Sequence, residues 1–185
     1  MKSLVYDKIR LGVAVLLYLC ATSWADAKVK LPALISDGMV LQREQSVKVW
    51  GTADAGENIT IEFQKKSYHA TADANGQWNI TLPPLKAGGP FLMQINDIKL
   101  NDILVGDVWL CSGQSNMELP VKRVMDMFSN EILNYNNEKI RHILIPQKYN
   151  FHAPQEEISA TSWKTLTQKN VMEFSALAYF FAKEM

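Results

Sequence analysis

The sequence predicts a mixed α/β protein, in which a small antiparallel β-sandwich is followed by the start of an α/β/α region. Short runs with alternating apolar residues lie between residues 31 and 100, and turn signals separate them. From residue 101 onward, a nearly continuous apolar run is followed by stretches with helical spacing. We therefore divide the chain into residues 1–27, 28–100 and 101–185.

Residues 1–27 have the pattern of a secretory signal peptide. Three basic residues precede the apolar run 11–19, and a region of small residues follows that ends at Ala25 and Ala27. The alternative is a membrane anchor, but a bilayer needs about 20 apolar residues and this run has about nine. We predict cleavage after Ala27 or Ala25, and a secreted or periplasmic protein with no membrane segment after cleavage.

Charge and cysteine usage narrow the function class further. Nineteen basic and nineteen acidic residues cancel, so the sequence predicts no nucleic-acid partner.

Cleavage of the signal peptide would remove Cys20, and Cys111 would then have no partner for an intrachain disulfide. We expect Cys111 to be a buried apolar residue. With no Cys/His cluster and no His-Glu-x-x-His pattern, the sequence predicts no metal and no cofactor.

The region 28–100 predicts a sandwich of about six to eight short strands. Its turn signals include Asn75-Gly76, which we interpret as a hairpin turn. Apolar residues alternate with polar ones, as in half-buried strands. The alternating positions are Val47, Val49, Ile59, Ile61, Phe63, Trp78, Ile80 and Leu82.

The region 101–185 predicts a strand, a helix, a second strand and a final helix. The strand 103–111 is nearly continuously apolar, as in a sheet covered on both faces, and the segment 121–134 has amphipathic helical spacing. Residues 140–145 form the next predicted strand, and the final helix places Phe174, Leu177, Ala178 and Phe181 on one face. No glycine or proline stops this helix, so we expect the chain to be part of a longer protein.

The segment 106–117 carries the most informative residue, Ser115. A serine between a strand end and a helix start has an exposed hydroxyl beside free backbone N–H groups, which is what acyl transfer requires. The alternative is a capping box, in which Ser115 and Glu118 cap the helix through reciprocal hydrogen bonds.

The segment 106–117 closely resembles the first conserved block of the SGNH hydrolases, specifically the sialate O-acetylesterase-like carbohydrate esterases. In that family the nucleophile lies in the motif Gly-Gln-Ser-Asn-Met, which matches residues 113–117 here. Segments 34–43 and 47–51 resemble the N-terminal β-domain of the family, and 174–181 resembles a later helix. The resemblance implies that residues 101–185 are the N-terminal part of an SGNH-type, flavodoxin-like hydrolase domain, truncated here.

The resemblance also implies the catalytic residues. Ser115 is the nucleophile and its own N–H is one oxyanion donor. In the substrate and oxyanion neighbourhood beside it, we expect Gly113 to permit the sharp turn, and Gln114 and Asn116 either to hydrogen-bond substrate or to tie the turn down. The family's base comes from an Asp-x-x-His motif, and no aspartate here has a histidine three positions later. We therefore expect this 185-residue chain to be inactive alone. Trp109 is expected in the core.

Three histidines remain as base candidates by residue type. His69 is predicted on a surface strand of the small domain, His142 in the strand 140–145, and His152 in the loop before Pro154. The sequence alone places none of them beside Ser115.

The implied function is a secreted serine esterase that removes O-acetyl groups from sialic acids or related glycans, its partner being the O-acetylated substrate. Two alternatives stay open: an esterase for acetylxylan or another polysaccharide, and a non-catalytic glycan-binding β-sandwich in which Ser115 is a helix cap. The sequence does not specify an oligomeric state.

The leader can be tested by N-terminal sequencing of the protein that its native host secretes. We expect the mature chain to begin at Lys28 or Asp26, because small residues precede both bonds. Replacing both Ala25 and Ala27 by arginine should block processing. A secreted chain that retains residues 1–27 would contradict the prediction.

Overall fold

The computed structural model describes residues 29–154, 158 and 162–185, so the predicted leader lies outside the described residues. The described part is a mixed α/β structure dominated by β-sheet, which agrees with the predicted α/β fold class. None of its helices is long or apolar enough to cross a membrane. The strands are β1 Val40–Gln42, β2 Val47–Thr52, β3 Asn58–Phe63, β4 Lys66–Thr71, β5 Gln77–Leu82, β6 Gly88–Ile95, β7 Ile98–Gly106, β8 Asn137–His142 and β9 Lys164–Leu166. The α-helices are α1 Ser115–Glu118, α2 Met125–Leu133 and α3 Ala176–Glu184, with 3₁₀ turns at Val121–Arg123 and Val171–Glu173.

Two sheets enclose the first hydrophobic core. One has five strands in the order β1-β7-β6-β3-β4, and the other pairs β2 with β5. The predicted alternation is confirmed, because every second residue of β3 and β5 is buried, including Ile59, Ile61, Trp78 and Ile80. Burying each such side chain contributes about 1.5–3 kcal/mol.

The prediction of a purely antiparallel arrangement is wrong at β1, which pairs in parallel with β7. The two strands are far apart in sequence, so no tight turn forces them to run in opposite directions. The predicted strand 103–111 is also wrong in its extent, because the observed strand β7 ends at Gly106. β7 belongs to the five-stranded sheet, and its residues Ile103 and Val105 lie in the first core.

The hairpin predicted at Asn75-Gly76 is a different kind of turn. β5 pairs with β2 rather than with β4, so this turn carries the chain from one sheet to the other. The Asp73 carboxylate accepts from the backbone N–H groups of Asn75 and Gln77, both at 2.8 Å. The hairpin between β3 and β4 instead turns at Gln64 and Lys65, whose residue types gave no glycine or asparagine signal.

A second hydrophobic core lies among α2, β8, β9 and α3. The predicted helix 121–134 is a 3₁₀ turn followed by α2, and Phe128 interrupts α2 with non-helical angles. The predicted strand 140–145 is β8, which ends at His142 and pairs antiparallel with β9. The predicted final helix is present as α3, with Ser175 as its N-cap, but Tyr179 faces the core whereas Leu177 is 52% exposed.

Arg141 and Trp163 join the two cores. The Arg141 guanidinium donates to the Gly38 carbonyl (3.1 Å) and pairs with the Asp102 carboxylate (2.9 Å). The Trp163 indole N–H donates to the Leu34 carbonyl at 3.0 Å, and its ring packs against the first core. β8 and β9 are therefore held against the loops at one end of the first sheet.

Two glycines with similar backbone angles provide a matched test of the turn between the sheets. Gly76 (φ +74°) has no room for a side chain, since a Cβ would lie 2.4 Å from the Ala53 carbonyl oxygen, whereas a Cβ at Gly56 (φ +82°) meets nothing. We expect Gly56→Ala to lower the free energy of unfolding by about 1 kcal/mol, and Gly76→Ala by at least twice that, about 2 kcal/mol or more. Urea unfolding of both variants measures this difference, and equal losses would contradict the close approach.

Candidate active site

Ser115 is the first residue of α1 and is exposed. It does not directly follow a strand, because β7 ends at Gly106 and residues 107–114 are irregular. Gln114 occupies the N-cap position and makes no side-chain cap hydrogen bond. The capping box is therefore absent, and among the described residues the Ser115 hydroxyl has no hydrogen-bond partner.

The irregular segment 107–114 begins with contacts to the end of β1. Arg43 Nε donates to Asp107 Oδ1 at 2.8 Å, and the Val108 N–H donates to Gln42 Oε1 at 2.9 Å. The hydrogen bond from Arg43 lowers the pKa of Asp107 below its ordinary value. These contacts fix where the chain leaves the first sheet.

Two expectations for this segment are wrong. Trp109, expected in the core, is 58% exposed and contacts Phe181 edge-on with ring centroids 5.2 Å apart. Cys111, expected to be buried, is exposed. Both expectations depended on a continuous strand through residue 111, and the strand ends five residues earlier at Gly106.

The far end of α1 is fastened to α3. The Ser175 hydroxyl donates to the Met117 sulfur at 3.4 Å, and the Ala176 N–H donates to the Leu119 carbonyl at 2.8 Å. The Val121 N–H then donates to the Phe174 carbonyl at 2.9 Å. Ser115 is therefore carried on a single helical turn that is anchored to the second core at its C-terminal end.

The other three candidate site residues lie next to Ser115 and are exposed. A Cβ on Gly113 would approach Met117 Cβ to 3.2 Å, which favours glycine there on grounds of space. The side chains of Gln114 and Asn116 make no hydrogen bond within the described residues, so both are free to reach a ligand. Their roles in substrate or oxyanion binding stay predictions.

Gln147 was not among the candidate residues of the sequence, and the structure brings it to this site. Its side-chain amide donates to a carboxylate oxygen of Glu118, the last residue of α1. Gln147 lies in the loop 143–154, whose polar sequence gave no signal for this contact. Only the folded chain shows that this loop passes beside α1.

None of the three histidines contacts Ser115 in the described structure. His69 lies on β4, where its ring nitrogen is 3.1 Å from the Thr60 hydroxyl. His152 is exposed in the loop 143–154. His142 packs its ring against Phe174, with centroids 4.3 Å apart. Burial, and then the positive charge of Lys164, lower the pKa of His142, while Glu173 opposes them.

Comparisons with known proteins identify similar sequences among carbohydrate esterases. The sialate O-acetylesterases of Homo sapiens and Pongo abelii are each 33% identical over 131 residues, 63% of this chain, and that of Mus musculus is 30% identical over 130 residues. This chain is similar in sequence to sialate O-acetylesterases. No protein-family model matches it. The chain spans about a quarter of the length of these relatives, 25% of the human protein.

A solved structure extends the likeness to the fold. The crystal structure of a carbohydrate acetylesterase from Xanthomonas citri superimposes with a TM-score of 0.79 at 38% sequence identity. The match covers 85% of this chain and 37% of that one. The sialate O-acetylesterase relatives and this acetylesterase thus point to the same class of protein.

The lowered pKa of His142 makes a prediction about stability. The unfolded chain takes up this proton at about pH 6.5, whereas the folded chain resists it, so stability falls as the pH drops below that value. Between about pH 7.5 and 5.5, the wild type should lose more unfolding free energy than His142→Gln does. Denaturant unfolding at both pH values measures the difference, and parallel losses in the two proteins would refute it.

Proposed function

We propose that the protein removes O-acetyl groups from a carbohydrate and that Ser115 is its nucleophile. The observation that carries the proposal is the exposed Ser115 hydroxyl, free of any capping role, at the start of α1. The names of the relatives, sialate O-acetylesterase and carbohydrate acetylesterase, support the reaction class. Acetylated sialic acids are the first substrates to assay, and acetylated xylan is the second.

The proposed reaction has two steps. Ser115 Oγ attacks the acetyl carbonyl carbon and loses its proton to a base, and the resulting tetrahedral oxyanion is stabilised by backbone N–H groups that include that of Ser115. The C–O bond to the sugar breaks, the sugar oxygen takes up a proton, and an acetyl-serine ester remains. Water then attacks this ester and releases acetate, which regenerates the serine hydroxyl.

The base is a separate requirement of this mechanism. A serine hydroxyl at its ordinary pKa needs a base within hydrogen-bond reach, and the described histidines do not contact Ser115. The family resemblance implies an Asp-x-x-His pair, a pattern that these 185 residues do not contain. Within the described residues, the candidate site contributes the nucleophile, its N–H and the side chains beside it.

The domain arrangement and the location of the protein belong to the same proposal. The two sheets around the first core would form the small β-sandwich of residues 28–100, with β7 crossing the boundary to residues 101–185. The second core would begin the SGNH-type hydrolase domain. Residues 1–27 would direct the protein to the secretory route as a cleaved signal peptide.

Replacing Ser115 tests the proposal directly. In the protein as its native host produces it, Ser115→Ala should lower kcat for acetate release by about 10⁴-fold or more, because loss of the nucleophile disables the whole catalytic set. Ser112→Ala, an exposed serine three residues earlier, is the matched control and should retain activity. Full acetate release by Ser115→Ala, with an unchanged circular dichroism spectrum, would refute the assignment.

A further inference from the structure

The loop 143–154 contacts α1 at Glu118, within one helical turn of Ser115. Residues three apart in a helix share a face, with Cβ atoms about 5–6 Å apart, and Glu118 is three residues after Ser115. The Gln147 amide donates to the Glu118 carboxylate, so it contacts that same face. The loop therefore approaches α1 within one helical turn of the proposed nucleophile.

Two aromatic rings stand out of this loop into solvent. Tyr149 is 79% exposed and Phe151 is 90% exposed, and their rings stack with centroids 6.2 Å apart and planes inclined by 18°. The Tyr149 hydroxyl donates to Gln147 Oε1 at 3.5 Å, a long hydrogen bond that directs the ring towards the residue beside α1. The two adjacent rings form an exposed apolar patch with polar neighbours, as ligand-binding surfaces do.

The reach from Ser115 to these rings suits a glycan. Tyr149 and Phe151 are two and four residues beyond Gln147, and an extended chain covers at most about 3.3–3.6 Å per residue. The backbone of both residues consequently lies within about 14 Å of Gln147, a span that a short glycan reaching from α1 can cover. The described loop residues 143–154 include Lys148 and no carboxylate, so the loop repels neither a neutral nor an acidic sugar.

We propose that the Tyr149–Phe151 pair binds the sugar ring of the ester that is hydrolysed at Ser115; this inference rests on the proposed function. A sugar presents weakly positive C–H groups on one face of its ring, which suit the negative face of an aromatic side chain, while its hydroxyls remain in water. The pair determines which acetyl esters are bound, and Ser115 carries out the chemistry on them.

The test measures the hydrolysis of two substrates by the protein as its native host produces it. The double variant Tyr149→Ala/Phe151→Ala should raise KM for an O-acetylated sialoside by about tenfold, the combined effect of two lost ring contacts. Its kcat for the sialoside should change little. Hydrolysis of ethyl acetate, an acetyl ester without a sugar, should be unchanged. The matched control Tyr149→Phe/Phe151→Tyr keeps both rings and should retain the wild-type KM.

Two other results of these assays would contradict a contact between the rings and the sugar. Equal losses on the sialoside and on ethyl acetate would show that the rings only support the fold, and an unchanged KM would show that they do not touch the sugar. Either result overturns the inference. Full activity of Ser115→Ala would instead overturn the proposed function, so the two failures are distinguishable.

Discussion

The guanidinium of Arg141 lies where β8 meets the loop around Gly38 and Asp102 of β7, and its side chain is only 5% exposed. A buried charge is stable only when acceptors surround it, and here the carbonyls of Gly38 and Asp102 and the Asp102 carboxylate accept from it. Those acceptors belong to the first sheet and its loops, whereas Arg141 belongs to the second core. The position of β8, and of the helices that pack with it, depends on this contact.

The position of Ser115 follows from that arrangement through a short series of contacts. β8 and β9 contribute to the core that buries Tyr179 of α3, and the N-terminal end of α3 holds Met117 and Leu119 of α1. The candidate nucleophile is thus placed by packing and backbone hydrogen bonds made by residues on either side of it. None of these contacts engages its own hydroxyl, which leaves that group available for chemistry.

The sequence predicted what depends on local pattern and missed what depends on distant partners. Alternation in β3 and β5 identified buried strand residues correctly, because one covered face imposes a period of two on any such strand. The apolar run through Trp109 and Leu110 looked like a strand, yet these residues are exposed in the described structure, since pairing with β1 ends at Gly106. The motif singled out Ser115 as a candidate, but no local signal could show that Gln147 reaches Glu118 across 29 residues.

The irregular segment 107–114 is fixed at both ends, to β1 through Asp107 and Val108 and to α3 through the α1 turn. A tether of this kind restricts the number of conformations that the segment can adopt even when no ligand is bound. A ligand bound beside this segment would meet a correspondingly smaller loss of conformational entropy, because much of the ordering has already occurred during folding. An irregular stretch of backbone can in this way hold the helical turn that follows it, and with it Ser115, in one position.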